Sequence, residues 1–239
     1  MSFCIPYLLT DGPSGYGLPN EKWMPMKKCL LIGTACWLLT ACSLQSNSYV
    51  ETLKLATVGV ADVDVSAQQV DAIPYPSAYL TIGELPRAFV VLAFEEQQQL
   101  KWISADRNLF VYEQGRLVKT VGLPSDLRWM SDRSRDPLRS ALSISATGQS
   151  WQYSAEWSKD DESGHQLQAT LFRRELEAKE ILGQSLSLLH LEEQVQDLQT
   201  GERWSNHFWV DPQGGDVLVS QQQLGPQLPV VEFTLLKPL

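Results

Sequence analysis

Thiols, imidazoles and positive charge are all scarce in this chain. Among 239 residues there are four cysteines and three histidines, and 19 basic residues face 28 acidic ones, a net charge of −9. The histidines, His165, His190 and His207, lie far apart, and no pair has the spacing of a metal site. No metal and no cofactor is therefore expected. There is no G-x-S-x-G nucleophile turn, no Walker loop and no G-x-G-x-x-G, which removes the usual signals for hydrolases, nucleotide hydrolysis and dinucleotide binding. The acidic balance gives no electrostatic reason to bind nucleic acid. The apolar run Cys29–Leu39 falls well short of the roughly 20 residues that a helix needs to cross a bilayer.

That short run has a different meaning. Met26-Lys27-Lys28 precedes it and Leu39-Thr40-Ala41-Cys42 closes it. A basic segment, a short apolar core and a small-residue cleavage site make a secretory signal. A cysteine directly after the cleavage point makes it a bacterial lipoprotein signal. Leu39, Thr40 and Ala41 are then the peptidase recognition residues, and the Cys42 thiol carries the lipid. Two or more acyl chains hold a protein stably to a membrane, where one does so only marginally.

Residues 1–25 have neither signal character nor periodicity and read as an upstream extension, with Met26 as the start. The expected organisation is a signal over 26–41, a polar tether over 42–49 and one domain over 50–239. Removing Lys22, Lys27, Lys28, Asp11 and Glu21 from the totals leaves a mature charge of about −10. Cys4, Cys29 and Cys36 also leave with the leader and signal. An oxidising compartment then has no free thiol to pair. Ser43 rather than Asp follows the anchor, which in enterobacterial-type sorting favours the outer membrane, with the domain facing the periplasm.

Within the domain, Val50–Ala61 reads as a short helix or extended lead-in. Ser66 and Gln69 have capping-box spacing, and Pro74 and Pro76 end that helical turn. Strands are expected at 78–82, 88–94, 100–105, 109–112 and 116–121, the last two joined by a Gln114-Gly115 turn. The run Ala88–Phe94 is apolar on both faces, as in a central strand covered on both sides. Leu123–Gly148 reads as a loop with a short helix near 138–142. Trp151, Tyr153, Ala155 and Trp157 alternate with polar residues, the period-two pattern of a half-buried strand. Lys159–Gly164 is a polar turn; a calcium role for Asp160, Asp161 and Glu162 is less apt than a solvated tip. Further strands are expected at 166–171, 185–193, 203–210, 217–221 and 230–236. Phe172–Leu182 has helical composition and reads as a strand end passing into a loop or one helical turn. Together these make an all-β protein: an antiparallel sandwich or barrel-like meander with one or two short helices.

Aromatic residues carry the remaining functional signal. Trp151, Trp157 and Trp204 suit the core, whereas Trp102, Trp209 and Trp129 are candidate surface contacts. Asp106 and Arg107 join Trp102 and Trp209 as candidate contacts for glycan or a partner. Arg87, Arg107 and Arg116 either bind anionic sugars or pair with the chain's carboxylates. His190 alternates with Leu186 and Leu188 and reads as a satisfied core histidine.

The segments Ile73–Tyr79, Pro86–Ala93, Leu100–Arg107, Gly115–Leu123 and Asn206–Pro212 resemble the lipoproteins of group 4 capsule and related exopolysaccharide operons, the YjbF/GfcB type. The lipobox sits where that family has it. The resemblance implies an all-β outer-membrane lipoprotein acting without catalysis in capsule or exopolysaccharide production or export. It also implies an operon-encoded outer-membrane β-barrel protein and a periplasmic protein as partners, with polysaccharide as a further one. Trp204–Val219 separately resembles a hairpin of periplasmic lipoprotein carriers, half-barrels that cradle acyl chains in a large apolar pocket. A polysaccharide-modifying enzyme is a third reading, which clustering of Asp106, His207 and Asp211 would favour.

Overall fold

The computed structural model describes residues 62–158 and 164–238. The lipobox, the tether, Val50–Ala61 and most of the turn Lys159–Gly164 lie outside the described residues. The first described element is helix α1, Ala67–Ala72, started by the expected capping box: the Gln69 N–H donates to Ser66 Oγ and the Ser66 N–H to Gln69 Oε1 (2.8 Å). Proline at 74 disfavours helix at the preceding residue, and Ile73 is extended.

Twelve strands follow: β1 Ser77–Ile82, β2 Ala88–Glu96, β3 Gln99–Ile103, β4 Leu109–Glu113, β5 Arg116–Val121, β6 Leu127–Met130, β7 Gln149–Trp157, β8 His165–Ile181, β9 Gln184–Asp197, β10 Arg203–Val210, β11 Val217–Gln223 and β12 Val230–Lys237. They form one sheet in the order β5-β4-β3-β2-β1-β12-β11-β10-β9-β8-β7-β6, and every pairing is antiparallel. Strands β5 and β6 stand at opposite ends of this order yet meet at a seam. Thr120 Oγ1 accepts the Leu127 N–H at 2.9 Å and donates to Asp126 Oδ1 at 2.9 Å. The same Asp126 carboxylate accepts the N–H groups of Gly122 and Leu123, at 3.0 Å each. Side chains thus bridge the two edges of a nearly closed barrel.

Its inside is filled. Trp102, Phe110, Trp157, Leu167 and Phe233 share the main cluster. Leu138, Ala141 and Ile144, from a 3-10 segment at Pro137–Ser143, pack onto Leu171, Leu191 and Phe208 of the wall. Each such burial contributes about 1.5–3 kcal/mol for a large apolar side chain. On the other face of the sheet, Val65, Val70 and Ile73 cover Phe89, Ile181 and Leu236.

Two strand assignments need correcting. Phe172–Leu182, despite its helical composition, continues β8 as strand, in register with β9 from Leu176↔Leu189 to Ile181↔Gln184. Leu182 and Gly183, both at positive φ, make the tight turn between them. Cross-strand pairing and the anchoring of Ile181 against the α1 cluster outweigh an intrinsic preference worth tenths of a kcal/mol per residue. In the other case, β2 is covered on both faces only at its start, where Phe89 points outward and Val90 inward. Phe94 is 66% exposed. The loop after Leu123 also holds the short strand β6, along with the expected short helix, in 3-10 form.

Alternation along β7 is as expected, with Trp151, Tyr153, Ala155 and Trp157 buried. The opposite face of β7–β10 carries two cross-strand rows. One runs Gln152↔Gln168↔Gln196↔Arg203 and the next Ser150↔Thr170↔Gln194↔Ser205.

Candidate functional site

Further along that outer face lies a group of polar and aromatic side chains. The β9–β10 hairpin pairs Trp209 with His190 and His207 with Glu192. Side chains on one face recur every second residue, so His190, His207 and Trp209 share this side. His190 Nε2 and His207 Nδ1 are 3.0 Å apart, and His190 Nδ1 lies 2.8 Å from Glu177 Oε1. The Trp209 indole N–H donates to Glu177 Oε2 at 2.7 Å. A carboxylate only accepts, so His190 carries its proton on Nδ1 and accepts at Nε2 from His207. His190 stacks on Trp209 at 5.1 Å with an 11° tilt, and Lys179 Nζ sits 3.6 Å from the Trp209 ring centroid.

The electrostatics follow from this chain of bonds. The Trp209 hydrogen bond, with help from His190 and Lys179, holds the Glu177 carboxyl below its usual range. Burial pulls the His190 imidazole below its ordinary value against the opposing attraction of Glu177. With a folded-state value below the unfolded one, the unfolded chain takes up the proton first as the pH falls. The stability that neutral His190 contributes is therefore complete above about pH 6.5 and declines as the pH drops through that value. His190→Gln is expected to flatten this part of a plot of urea midpoint against pH; an unchanged slope would show that His190 is not the titrating group.

The group can accept a proton and offer stacked rings, and it includes no serine, threonine or cysteine nucleophile. Among the described residues no cluster of three or more His, Cys, Asp or Glu side chains could hold a metal ion.

Other singled-out residues fall elsewhere. Trp102 is not at the surface: β3 turns it into the core, 1% exposed and edge-on to Phe233 at 5.2 Å. Trp209 is on the outer face but only 4% exposed, closed over by its contacts with Lys179 and Glu177. Trp129, half exposed on β6, is the surface tryptophan among the described residues. Asp106 and Arg107 are both exposed in the tight β3–β4 turn, where Arg107 has φ 64° and donates its N–H to the Ser104 carbonyl. Asp106 lies exposed in that turn, while His207 and Asp211 have partners of their own. His207 bonds His190, and Asp211 caps its own turn through the N–H groups of Gln213 and Gly214.

Arginines 87 and 116 pair with carboxylates. Arg87 meets Asp64. Arg116, 2% exposed, donates from Nη1 and Nη2 to Glu193 at 2.9 and 2.8 Å, and also bonds Asp136. Asn206 and Trp151 add N–H donors to Glu193. Burial would raise the Glu193 carboxyl, but the guanidinium and these donors hold it low. This triad ties β5 to β9 inside the barrel. A hollow of about 350 Å³ of mixed character remains, lined by Trp102, Tyr112 and Phe233 together with Glu95, Gln98 and Asp216, at the small end of ligand cavities.

Comparison with known proteins places this architecture. The profile of the family described as "Group 4 capsule polysaccharide lipoprotein gfcB, YjbF" matches residues 50–236. The uncharacterized lipoprotein GfcB of Escherichia coli K12 is 36% identical over 210 residues, covering 87% of this chain and 98% of the relative. The uncharacterized lipoprotein YjbF of the same organism is 30% identical over 213 residues, covering 89% and 98%. The crystal structure of the hypothetical lipoprotein YmcC, also from E. coli K12, superposes with a TM-score of 0.70 at 37% identity, covering 82% of this chain and 98% of that one.

Proposed function

The chain belongs to the family of group 4 capsule polysaccharide lipoproteins, the YjbF/GfcB type, and on that footing we propose that it is an outer-membrane lipoprotein of capsule or exopolysaccharide production. Lipid on Cys42 anchors it, 42–49 is the tether, and the domain over 50–239 faces the periplasm. It acts there as a binding or assembly component rather than as an enzyme, alongside a β-barrel protein of the outer membrane and a periplasmic protein.

The family match across nearly the whole barrel carries this reading. The lipobox supports the anchoring, because an acidic domain needs a lipid rather than a basic patch to stay on a membrane. The non-catalytic role draws on the site itself, whose histidines are committed to each other and to Glu177.

Deleting the gene is expected to abolish cell-associated polysaccharide, and a copy carrying Cys42→Ala should not restore it. That variant should also run as a larger, unprocessed band missing from the outer-membrane fraction. Normal polysaccharide in the deletion strain would sink the proposal. Affinity purification of the anchored protein should recover the β-barrel and periplasmic partners, and recovery of neither would count against the assembly role.

A further inference from the structure

The outer face of β7–β10 is unusual for an acidic chain. Two hollows indent it, of about 440 and 470 Å³, and they share Gln168. Sharing a wall residue makes them one trough across the strands. With neighbouring strands about 4.8 Å apart, β7 to β10 spans about 14 Å, the reach of a short oligosaccharide. No carboxylate lines either hollow, although the chain has 28 acidic residues. An arginine stands at each end instead. Arg203 is on β10, and Arg135 lies beyond β7, 79% exposed with only a 4.0 Å approach to Asp132.

We infer that this trough binds an acidic polysaccharide chain, a site that rests on the capsule reading and deepens it. Amide and hydroxyl side chains both donate and accept hydrogen bonds, which matches the hydroxyls of a sugar. The amides of Gln152 and Gln168 make no hydrogen bond to other side chains among the described residues, so their capacity is available to a ligand. The terminal arginines suit carboxylate-bearing sugars, since a guanidinium pairs with a carboxylate in bidentate fashion. A protein partner fits less well. The cores of protein interfaces are rich in aromatic and apolar groups, whereas the tryptophans that border this trough, Trp151 and Trp204, are buried at 7% and 8% exposure.

The test is native gel electrophoresis of the full-length lipoprotein in neutral detergent, through gels cast with polygalacturonate or with the neutral polymer dextran. Polygalacturonate is expected to retard the protein, less so as salt is raised, and dextran is expected to have little effect. The double variant Gln168→Ala/Arg203→Ala should weaken retardation at least fivefold while melting at the wild-type temperature, and Lys119→Ala, an exposed cation on β5 outside the trough, should not weaken it. Equal mobility in all gels overturns the inference, as does retardation that the double variant leaves intact. If the double variant loses co-purification with a protein partner but keeps its retardation, the face is a protein interface and the inference is wrong. In cells, a double variant that restores polysaccharide to the deletion strain overturns the trough and leaves the capsule role standing.

Discussion

Arg116→Met is expected to cost about 3–5 kcal/mol of stability, because it strands two buried carboxylates without their shared cation. Glu193 is 0% and Asp136 7% exposed, so water cannot take the place of the guanidinium. In the folded protein Arg116 is what outweighs the effect of burial on Glu193. Once it is gone, burial dominates and the carboxyl titrates above its usual range. The loss should then be largest at neutral pH and shrink toward pH 4–5, where Glu193 is neutral. The neutral triple variant Arg116→Met/Asp136→Asn/Glu193→Gln should recover part of the loss. Urea unfolding at pH 7 and pH 5 reads both effects. A single variant within about 1 kcal/mol of wild type would show that the triad carries little of the fold.

Trp157→Ala should be comparably severe, about 3–5 kcal/mol. The Trp157 ring is 1% exposed, and its indole N–H donates to the Leu224 carbonyl at 2.9 Å. It also packs so closely on the β11–β12 loop that a Cβ on Gly225 would lie 2.6 Å from the ring. Removing the ring opens a cavity and strips the Leu224 carbonyl of its donor together. Trp157→Phe should keep most of the packing and lose chiefly the hydrogen bond, about 1 kcal/mol. A shift in urea midpoint that is the same for both variants would mean that the ring volume does not matter there.

Much of the barrel was legible in the chain because local rules and tertiary contacts agree. Alternation placed β7 and its buried tryptophans. Gln114-Gly115 marked a hairpin whose two turn residues both have positive φ, and the Ser66/Gln69 box started the helix as expected. Where local preference and long-range pairing conflict, the reading went astray. The segment 172–182 has the composition of a helix, and it is held extended by the partner strand β9 and by the packing of Ile181 against the α1 cluster. Trp102, expected at the surface, is in the core, because Leu100–Ala105 does not alternate cleanly enough to show which way it points.

The candidate site was harder still to see. His190 and His207 lie 17 positions apart and meet only through the register of β9 and β10. Glu177 reaches them from the stretch that was expected to leave the sheet. The rows of glutamines are plain only once four strands stand side by side, since each strand alone shows an ordinary polar face. What could have pointed to the trough was the contrast between a carboxylate-rich chain and the stretches 150–152, 168–170 and 194–196, whose outward positions hold glutamine, serine and threonine.

The pairing of β1 with β12, with Leu80 opposite Phe233, bears on how the chain folds as well as on its shape. Each flanking meander forms from hairpins between neighbours in sequence, but the central joint waits for the last strand to be made. Contacts between segments so distant slow folding, and closing so long a loop carries an entropy cost that local hairpins do not. Until β12 arrives, β1 presents an unpaired edge able to recruit strands from other chains. A newly made chain is thus most open to aggregation before Val230–Lys237 docks. The last strand to be made is therefore the one that protects the rest of the sheet.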